Sequence, residues 1–339
     1  MTKVAINGLG RIGRAFVKMA IKNPEIEIVA VNDLGDINNF AYLLKYDSAY
    51  GHSNLDVKVD GGDLVIDGKS IKFLSEKDPG LLPWGELKID VVVESTGIFD
   101  SYEKSKAHLD AGARKVVISA PVKGEPVAGI TSAMVLMRIN EEKLAACQIS
   151  SNASCTTNSV SPVIQIMKET VGVKKAILST VHAYTATQKI VDGPDAKDFR
   201  RGRAAAQNIA PSSTGAAMAV GQVITDLDGL FDGIAVRVPV VAGSVSDITF
   251  IANRSTTKEE VNSILRKAAS DPRWQNIFTV TEEPLVSTDI LGNTHASIAD
   301  LEMTRVVGGD LVKILAWYDN EVGYTHTLVE HVIKTGKVG

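Results

Sequence analysis

The stretch "KVAINGLGRIGRAFVKMAIKN", residues 3–23, carries the pattern that decides the fold of this chain. Its first residues, "KVAIN", read as a short buried strand, and glycines follow at positions 8, 10 and 13 in the order GxGxxG. Apolar residues then recur at helical spacing, and the next strand-like segment, "EIVAVND", ends in Asp33. This order of strand, glycine turn, helix, strand and acid predicts a dinucleotide-binding unit in a doubly wound α/β fold of Rossmann type.

Each residue type in this pattern has a chemical reason. Gly8, Gly10 and Gly13 let the backbone approach a pyrophosphate, which free N–H groups at the helix N-terminus can bind. The Asp33 carboxylate can accept hydrogen bonds from both hydroxyls of an adenosine ribose, and it repels a 2′-phosphate. The pattern therefore predicts NAD rather than NADP. GxGxxG alone is a weak signal in a chain with 28 glycines, so the prediction rests on its context.

The rest of the first half continues with alternating strands and helices. "DLVIDGKSIKF" has strand-like flanks around Asp67-Gly68, which predicts a hairpin. "DVVVEST" and "KVVISAP" read as buried strands separated by a helix that ends at Gly112. Ligands of parallel sheets bind beyond the C-terminal ends of the strands, so Thr96, Gly97 and Ser119 are expected to line the cofactor crevice.

Composition bounds the class of protein. A length of 339 residues favours two domains, and 45% hydrophobic with 22% charged residues is typical of globular proteins. A net charge of −4 argues against a general binder of nucleic acid or of anionic membranes. No apolar run approaches the roughly 20 residues that span a bilayer, and no signal-peptide pattern precedes the first strand. With only two cysteines, a cytoplasmic protein is expected.

One of the two cysteines stands in unusual surroundings. Cys155 lies in "ISSNASCTTNSVSP", residues 149–162, among small hydroxyl and amide side chains. Ser154 is a good N-cap, which places Cys155 on the first turn of a helix, where the helix dipole would lower its pKa. The alternative is the usual fate of a free cysteine, a small buried hydrophobe. Cys147 fits that description, whereas the polar neighbours of Cys155 do not.

A nucleophile needs a base, and His182 is the best-placed histidine. It lies near the end of the β-branched segment "AILSTVHAYTATQ", where catalytic side chains often face a crevice. His108 and His331, each on a helix, are expected at the surface. A cysteine and a histidine also suit a cysteine hydrolase, so the pair does not name a reaction. No metal site is expected, because neither cysteine has a partner at chelating spacing.

Taken together, ten segments resemble the phosphorylating glyceraldehyde-3-phosphate dehydrogenases from residue 3 to about residue 330. They are "INGLGRIGR", "AVND", "LLKYDSAYG", "VVVESTG", "ISAP", "SNASCTTN", "TVHAYTATQ", "DGPDAKDFRRGRAAAQNIAPSSTGAAMAV", "RVPV" and "WYDNEVGY". The segments around Cys155 and Asn320 are the most specific to this family.

The resemblance implies a set of cofactor contacts. The backbone of Arg11 and Ile12 would meet the pyrophosphate. Lys77, in "SEKDP", stands where the family often has an arginine near the adenine. Ser119 would lie on the nicotinamide side, and Asn320 would hold the nicotinamide carboxamide and fix which face of the ring is offered.

The same resemblance implies a catalytic pair and two anion pockets. Cys155 resembles the nucleophile and His182 the base. Thr185 and Arg237 match the pocket for the phosphate of the substrate. The pocket for inorganic phosphate is matched by Ser154, Thr156, Arg201, Thr214 and Gly215. Hydroxyls, backbone N–H groups and guanidinium forks are the donors that phosphate oxygens require.

The chain also departs from the family pattern. Ser159 replaces a second cysteine four residues after the nucleophile, a change expected to leave activity intact. The segment 124–147 is longer than usual, and Arg138 stands where a glycine is common. A local rearrangement just before the catalytic loop is therefore possible.

The implied reaction is the oxidative phosphorylation of D-glyceraldehyde 3-phosphate to 1,3-bisphosphoglycerate, with NAD and inorganic phosphate, through a thioester on Cys155. This is the glycolytic and gluconeogenic reaction of the family. Residues 1–154 would form the NAD domain, with a C-terminal helix at about 318–339 packing back on it. Residues 155–317 would form an α/β catalytic domain with a mixed or mostly antiparallel sheet. A homotetramer is expected, with neither nucleic acid nor membrane as a primary partner.

Three alternatives stay open at this point. A close relative could oxidise another phosphorylated aldehyde, such as erythrose 4-phosphate, with hydrolysis in place of phosphorolysis. A cysteine hydrolase is disfavoured by the NAD pattern and by Asn320. A non-catalytic, NAD-binding regulatory role is the third.

Overall fold

The structure is a computed structural model that describes residues 1–122, 124–196 and 198–338. The chain divides into two compact units, one formed by Met1–Ala153 with Thr325–Gly339 and the other by Ser154–Tyr324. The chain therefore leaves the first unit just before Cys155 and returns to it within the last helix.

The first unit is built on a nine-stranded sheet flanked by helices. In chain order its elements are β1 (Thr2–Asn7), α1 (Arg11–Ala20), β2 (Ile26–Asn32), α2 (Ile37–Lys45), β3 (Tyr46–Asp47), β4 (Gly51–His52), β5 (Val57–Asp60), β6 (Asp63–Ile66), β7 (Lys69–Leu74), β8 (Val91–Glu94), α3 (Tyr102–Asp110), β9 (Lys115–Ile118), β10 (Ser132–Met134) and β11 (Ile149–Ser151). The sheet order is β10-β11-β9-β8-β1-β2-β7-β6-β5, and β3 pairs with β4 separately.

Strand direction confirms the doubly wound arrangement. All pairs from β10 to β7 are parallel, whereas β6 pairs antiparallel with both β5 and β7. β1 lies between β2 and β8, so the strand order reverses on either side of it, at the point where such sheets bind ligands. The predicted hairpin is confirmed, with Asp67 and Gly68 at φ +49° and +79° joining β6 to β7.

The central strands of this sheet are covered on both faces. The interior residues of β1, Val4 to Ile6, are fully buried, as are the valines of β8 at positions 91–93. A parallel sheet with both faces covered needs continuous apolar runs of this kind. Polar side chains in this region therefore concentrate at the strand ends.

Two histidines are placed differently from the sequence expectation. His108 in α3 and His331 near the C-terminus are both 0% exposed, so the prediction that they lie at the surface is wrong. Each ring is buried because polar partners satisfy both of its nitrogens. His108 contacts Trp84 and Glu94, and His331 contacts Ser150 and Asn152.

The second unit carries a seven-stranded mixed sheet. Its elements are α4 (Cys155–Thr170), β12 (Lys175–Ala183), β13 (Ala210–Ser213), α5 (Ala216–Val223), β14 (Phe231–Val238), β15 (Ser244–Ile251), α6 (Lys258–Ala269), β16 (Phe278–Thr281), β17 (Ser297–Val307) and β18 (Leu311–Tyr318). The sheet order is β13-β14-β12-β15-β18-β17-β16. β12 with β14 and β16 with β17 are parallel, and the remaining pairs are antiparallel, which confirms the predicted mixed sheet.

One face of this second sheet is covered by helices and the other is open within the unit. α4, α5 and α6 contact its strands. On β12, buried Leu178, Thr180 and His182 alternate with the exposed Ile177 and Val181. The open face is thus partly apolar, which is unusual for a surface that meets only water.

The last helix, α7 (Val322–Lys337), begins in the second unit and continues in the first from Thr325 onward. Gly339, at the end of the range expected for this helix, lies outside the described residues. No helix in the described part of the chain is long and apolar enough to cross a membrane.

Candidate active site

The glycine turn between β1 and α1 leaves no room for a side chain at Gly8 or at Gly13. Gly8 has φ +99°, and a Cβ placed there would lie 2.7 Å from the backbone nitrogen of Thr96. A Cβ at Gly13 would lie 2.0 Å from the carbonyl oxygen of Gly8. Gly10 caps α1 without a side-chain hydrogen bond. The cradle therefore fits a ligand that approaches the backbone closely, such as a pyrophosphate.

Asp33 follows β2 and contacts the same turn. Its Oδ2 accepts a hydrogen bond from the Leu9 backbone at 2.7 Å, and its Oδ1 accepts one from the Gly35 backbone at 3.1 Å. These contacts fix the carboxylate beside the glycine turn, while the side chain stays partly exposed. The sequence could not reveal the link to Leu9, because it depends on the pairing of β1 with β2.

The remaining predicted cofactor residues of the first unit lie beyond the ends of parallel strands. Thr96 follows β8 and donates its hydroxyl hydrogen bond to Glu94 Oε1 at 2.5 Å. The Ser119 backbone, after β9, donates to the Glu94 carbonyl at 2.8 Å. Arg11 forms a 2.8 Å ion pair with Asp47. Ile12 is half-buried in the first turn of α1, and Lys77 is exposed after β7.

In the second unit, Cys155 and His182 are brought together as predicted from the pattern. Cys155 is the first residue of α4, whose N-cap Ser154 accepts a hydrogen bond from the Thr157 backbone at 3.0 Å. The Cys155 Sγ lies 3.3 Å from His182 Nε2. His182 is 3% exposed and Cys155 is intermediate in exposure. This is the contact distance of a nucleophile and its base.

Arg237 completes the surroundings of the histidine. It stands opposite His182 in the parallel pairing of β14 with β12. Its Nη1 lies 2.6 Å from His182 Nδ1 and donates to the Ala183 carbonyl at 3.1 Å. His182 Nδ1 is also 2.6 Å from that carbonyl oxygen. A cation therefore lies directly behind the imidazole, on the side away from the sulfur.

These contacts determine the charge state of the pair. Burial, followed by the charge of Arg237, lowers the pKa of His182 to about 3. Burial raises the pKa of Cys155, although Arg237 and the hydrogen bonds of Thr156 act in the opposite direction. The prediction that the helix N-terminus lowers the pKa of Cys155 is therefore wrong, because the desolvation of the sulfur outweighs the effect of the helix terminus. Both shifts favour the uncharged forms, the thiol of Cys155 and the imidazole of His182.

The residues predicted to bind anions have separate hydrogen-bond partners, although the charge of Arg201 acts on Arg237. Arg237 lies beside His182, whereas Arg201 bonds to Ser212 Oγ through Nε and Nη2, both at 3.2 Å. Thr185 follows β12, and its hydroxyl lies 2.9 Å from that of Thr187. Ser154 and Thr156 flank Cys155 in the chain.

The hydroxyl of Thr156 lies 2.9 Å from Tyr318 Oη. Thr214 and Gly215 follow the end of β13 that is remote from Arg237 in the strand register.

Asn320, after β18, is held by its oxygen. Its Oδ1 accepts hydrogen bonds from the Gly243 backbone at 3.1 Å and from Ser244 Oγ at 3.0 Å. The Ser244 hydroxyl also accepts from the Ala183 backbone at 3.2 Å, next to the catalytic histidine candidate. The amide nitrogen of Asn320 is thereby oriented as a donor, which suits a carboxamide oxygen.

Sequence reasoning missed Tyr318, the side chain that joins the two halves of the candidate pair. Its hydroxyl contacts Thr156 Oγ1 at 2.9 Å and Thr180 Oγ1 at 2.8 Å. Its ring meets His182 edge-on, with centroids 5.9 Å apart. The sequence contained one signal for such a partner: Thr180 and His182 are two residues apart in β12 and therefore lie on the same face of the strand. Among the described residues, no group of three His, Cys, Asp or Glu could hold a metal ion.

Comparison with known proteins identifies the family of this chain. The family model described as "Glyceraldehyde 3-phosphate dehydrogenase, NAD binding domain" matches residues 2–102, and the C-terminal domain of the same description matches residues 154–320. The glyceraldehyde-3-phosphate dehydrogenase of Eremothecium gossypii is 47% identical over 336 residues, covering 98% of this chain and 99% of its own length.

Two bacterial relatives are similarly close. The glyceraldehyde-3-phosphate dehydrogenase of Geobacillus stearothermophilus is 47% identical over 330 residues, covering 97% of this chain and 96% of its own. Glyceraldehyde-3-phosphate dehydrogenase 1 of Bacillus subtilis is 45% identical over 339 residues, covering 99% of both chains.

Proposed function

Because the chain belongs to the glyceraldehyde-3-phosphate dehydrogenase family, we propose that Cys155 and His182 are the catalytic pair of an NAD-dependent oxidation of glyceraldehyde 3-phosphate. The observation that carries this proposal is the 3.3 Å contact between Cys155 Sγ and the neutral His182 Nε2. A neutral imidazole can accept a proton, and a sulfur in contact with it can pass that proton on as it attacks.

The first step forms a carbon–sulfur bond. The Cys155 sulfur attacks the aldehyde carbon, its proton passes through His182 Nε2 to the carbonyl oxygen, and a hemithioacetal results. The backbone N–H of Cys155 at the start of α4 and the His182 imidazole stabilise the developing oxyanion. Burial favours the neutral thiol, and His182 Nε2, 3.3 Å from the sulfur, is placed to take its proton as the sulfur attacks.

The second step is the oxidation. NAD, when bound, accepts a hydride. His182 takes the hydroxyl proton of the hemithioacetal, and a thioester on Cys155 remains. Inorganic phosphate then attacks the thioester carbon, the Cys155 sulfur leaves as the thiolate, and the protonated His182 returns the proton to it. The thioester keeps the acyl group activated, which direct hydrolysis would not.

We also propose the assignment of the two phosphate pockets and of the cofactor contacts. Arg237 with Thr185 binds the phosphate of the substrate, supported by the position of the guanidinium behind His182. The inorganic phosphate binds at Ser154, Thr156, Arg201, Thr214 and Gly215. The proposed cofactor contacts are Gly8, Gly10, Arg11, Ile12, Gly13, Asp33, Lys77, Thr96 and Ser119, with Asn320 as the residue that holds the carboxamide. The closed glycine cradle and the oriented Asn320 amide support these assignments.

The two compact units are proposed as the NAD domain and the catalytic domain. A cytoplasmic homotetramer is proposed as the working form. Its support is the partly apolar, open face of the second sheet, where Ile177 is 59% and Ile234 is 50% exposed.

Turnover measurements test the proposal against its alternatives. NADH formation from glyceraldehyde 3-phosphate should require inorganic phosphate and should vanish in Cys155→Ala. Turnover that persists without phosphate, or a preference for erythrose 4-phosphate, would favour the hydrolysing relative. A protein that binds NAD but forms no NADH with either aldehyde would favour the regulatory role.

A further inference from the structure

A chain of buried polar side chains lies beneath the glycine turn of the first unit. Asn32 Nδ2 donates to Asn7 Oδ1 at 2.7 Å, and Asn7 Nδ2 donates to Glu94 Oε2 at 2.6 Å. The same Glu94 oxygen lies 3.0 Å from His108 Nε2, and Trp84 Nε1 donates to His108 Nδ1 at 3.0 Å. All five residues are at most 4% exposed. Such a network is costly to bury unless every member is satisfied.

The direction of each hydrogen bond follows from Trp84. Indole can only donate, so His108 Nδ1 must accept, and the single proton of the neutral ring lies on Nε2, which faces Glu94. Glu94 therefore receives hydrogen bonds from Asn7 and His108 on one oxygen. Its other oxygen accepts from the backbone N–H of Thr96 at 2.8 Å and from the Thr96 hydroxyl at 2.5 Å. Every neighbour is a donor, as an ionised carboxylate requires.

Glu94 holds Thr96 by two hydrogen bonds, and Thr96 belongs to the turn that contacts the glycine turn at Gly8. The Thr96 backbone nitrogen is the atom that a Cβ at Gly8 would approach to 2.7 Å. The preceding Ser95 donates its hydroxyl hydrogen bond to the Gly8 carbonyl at 2.8 Å. A shift of the Thr96 turn would therefore open or close the cradle, because the two backbones are in van der Waals contact.

We propose that Glu94 and His108 are positioning residues for the pyrophosphate of the dinucleotide: His108 fixes Glu94, and Glu94 fixes the Thr96 turn against Gly8. This inference rests on the proposed cofactor site. Neither side chain touches the ligand. Their effect reaches it through the width of the cradle, so it falls on the binding of NAD and not on the chemistry at Cys155.

Substitution of the carboxylate provides the first test. Glu94→Gln keeps the volume but sets an amide donor against neighbours that are all donors. The Kd for NAD, measured by titration, should rise at least about tenfold, the scale of losing a hydrogen bond to a charged group. The KM for glyceraldehyde 3-phosphate and kcat at saturating NAD should stay within about twofold. Val92→Ala, in the same buried strand, is the matched control. It should lower Tm without changing the Kd for NAD.

Substitution of the imidazole tests the second link. His108→Leu removes the donor to Glu94 and should raise the Kd for NAD by a similar factor. His108→Gln can accept from Trp84 and donate to Glu94, so it should restore most of the affinity. Trp84→Phe serves where His108→Leu does not fold. It removes the donor to His108 Nδ1, so the ring is no longer fixed on the side away from Glu94, and the Kd should again rise.

The ligand fragments locate the effect. ADP-ribose contains the pyrophosphate and should lose affinity by the same factor as NAD in these variants. The affinity of 5′-AMP, which reports the adenosine end near Asp33, should be unchanged. The proposal is overturned if folded Glu94→Gln and His108→Leu bind NAD within twofold of the wild type, or if Val92→Ala loses as much affinity. Because these titrations need no turnover, absence of NADH formation in the wild type would reject the proposed reaction and leave this inference standing.

Discussion

The most informative single residue is Arg237, because it acts on both members of the candidate pair. Its charge lowers the pKa of His182 and also opposes the rise in the pKa of Cys155 that burial causes. A buried thiol and a buried imidazole both favour their neutral forms, so the cation decides how far the thiolate is accessible. Arg237 therefore has an electrostatic effect on the Cys155–His182 pair in addition to its proposed role in binding the substrate phosphate.

Labelling with iodoacetamide can measure this effect. Cys155 should react faster than Cys147, which is 4% exposed and whose own thiol pKa is raised by burial. Only the thiolate reacts, so the labelling rate of Cys155 should increase with pH toward its raised pKa.

Arg237→Gln removes the opposing charge and should shift that profile to higher pH, slowing labelling at pH 8 severalfold. Arg237→Lys keeps the charge and should stay near the wild type. An unshifted profile in Arg237→Gln would show that the cation does not reach the sulfur.

Asp33 combines two roles at one carboxylate. Besides the proposed contact with the ribose, it accepts the Leu9 and Gly35 backbone hydrogen bonds. Asp33→Ala should weaken NAD binding by about 1–3 kcal/mol, the usual range for hydrogen bonds to a charged group. It should narrow the preference over NADP without making NADP a good cofactor. The measurement is kcat/KM with both cofactors. An equal fall in kcat/KM with NAD and with NADP would mean that Asp33 shapes the turn but does not bind the ribose.

At the scale of elements, the segment between β10 and β11 is held to α7 by charge. Arg138 has φ +68°, a left-handed conformation that is costly for any residue with a Cβ. Its guanidinium pairs with Glu330 and with Glu141, which lies 3.3 Å away, and Lys334 bridges both acids. The ion cluster therefore holds an arginine in a conformation that glycine adopts without strain.

Two substitutions at this position separate the backbone from the charge. Arg138→Ala loses the ion pairs and keeps the left-handed cost, whereas Arg138→Gly loses the pairs and relieves that cost. We expect the alanine variant to be the less stable of the two by about 1 kcal/mol, since left-handed strain is about 1–2 kcal/mol and glycine flexibility offsets part of it. Denaturant unfolding of both variants gives the difference. Equal stabilities would mean that φ is not left-handed at this position.

At the scale of the whole molecule, we expect the open face of the second sheet to be an interface between subunits. Ile177→Arg combined with Ile234→Arg places two charges on that face and should reduce the oligomer seen by sedimentation. The far-ultraviolet circular dichroism should not change, because both side chains are exposed. Leu81→Arg, at a 71% exposed position of the first unit, is the control and should leave the oligomer intact. An unchanged sedimentation coefficient in the double variant would place the interface elsewhere.

How much of this could be read from the sequence depends on the distance over which the residues interact. The glycine turn, the Asp67-Gly68 hairpin and the N-cap before Cys155 are local patterns, and each is placed by the structure as predicted. The burial of His108 was missed, because its partner Glu94 stands at the end of β8 and not on the same helix. The direction of the Cys155 pKa was missed for a related reason: helix position is local, whereas desolvation depends on everything packed around the sulfur.

The path of the chain between its units has a consequence for biosynthesis. The second unit is one continuous segment, Ser154–Tyr324, inserted between two parts of the first. A ribosome therefore completes it before the final segment from Thr325 has been made. That final segment supplies His331, whose ring is hydrogen-bonded to Ser150 and Asn152. The unit whose translation begins first is thus the last that can close, and a stalled nascent chain should protect the second unit from proteolysis while the first is still cleaved.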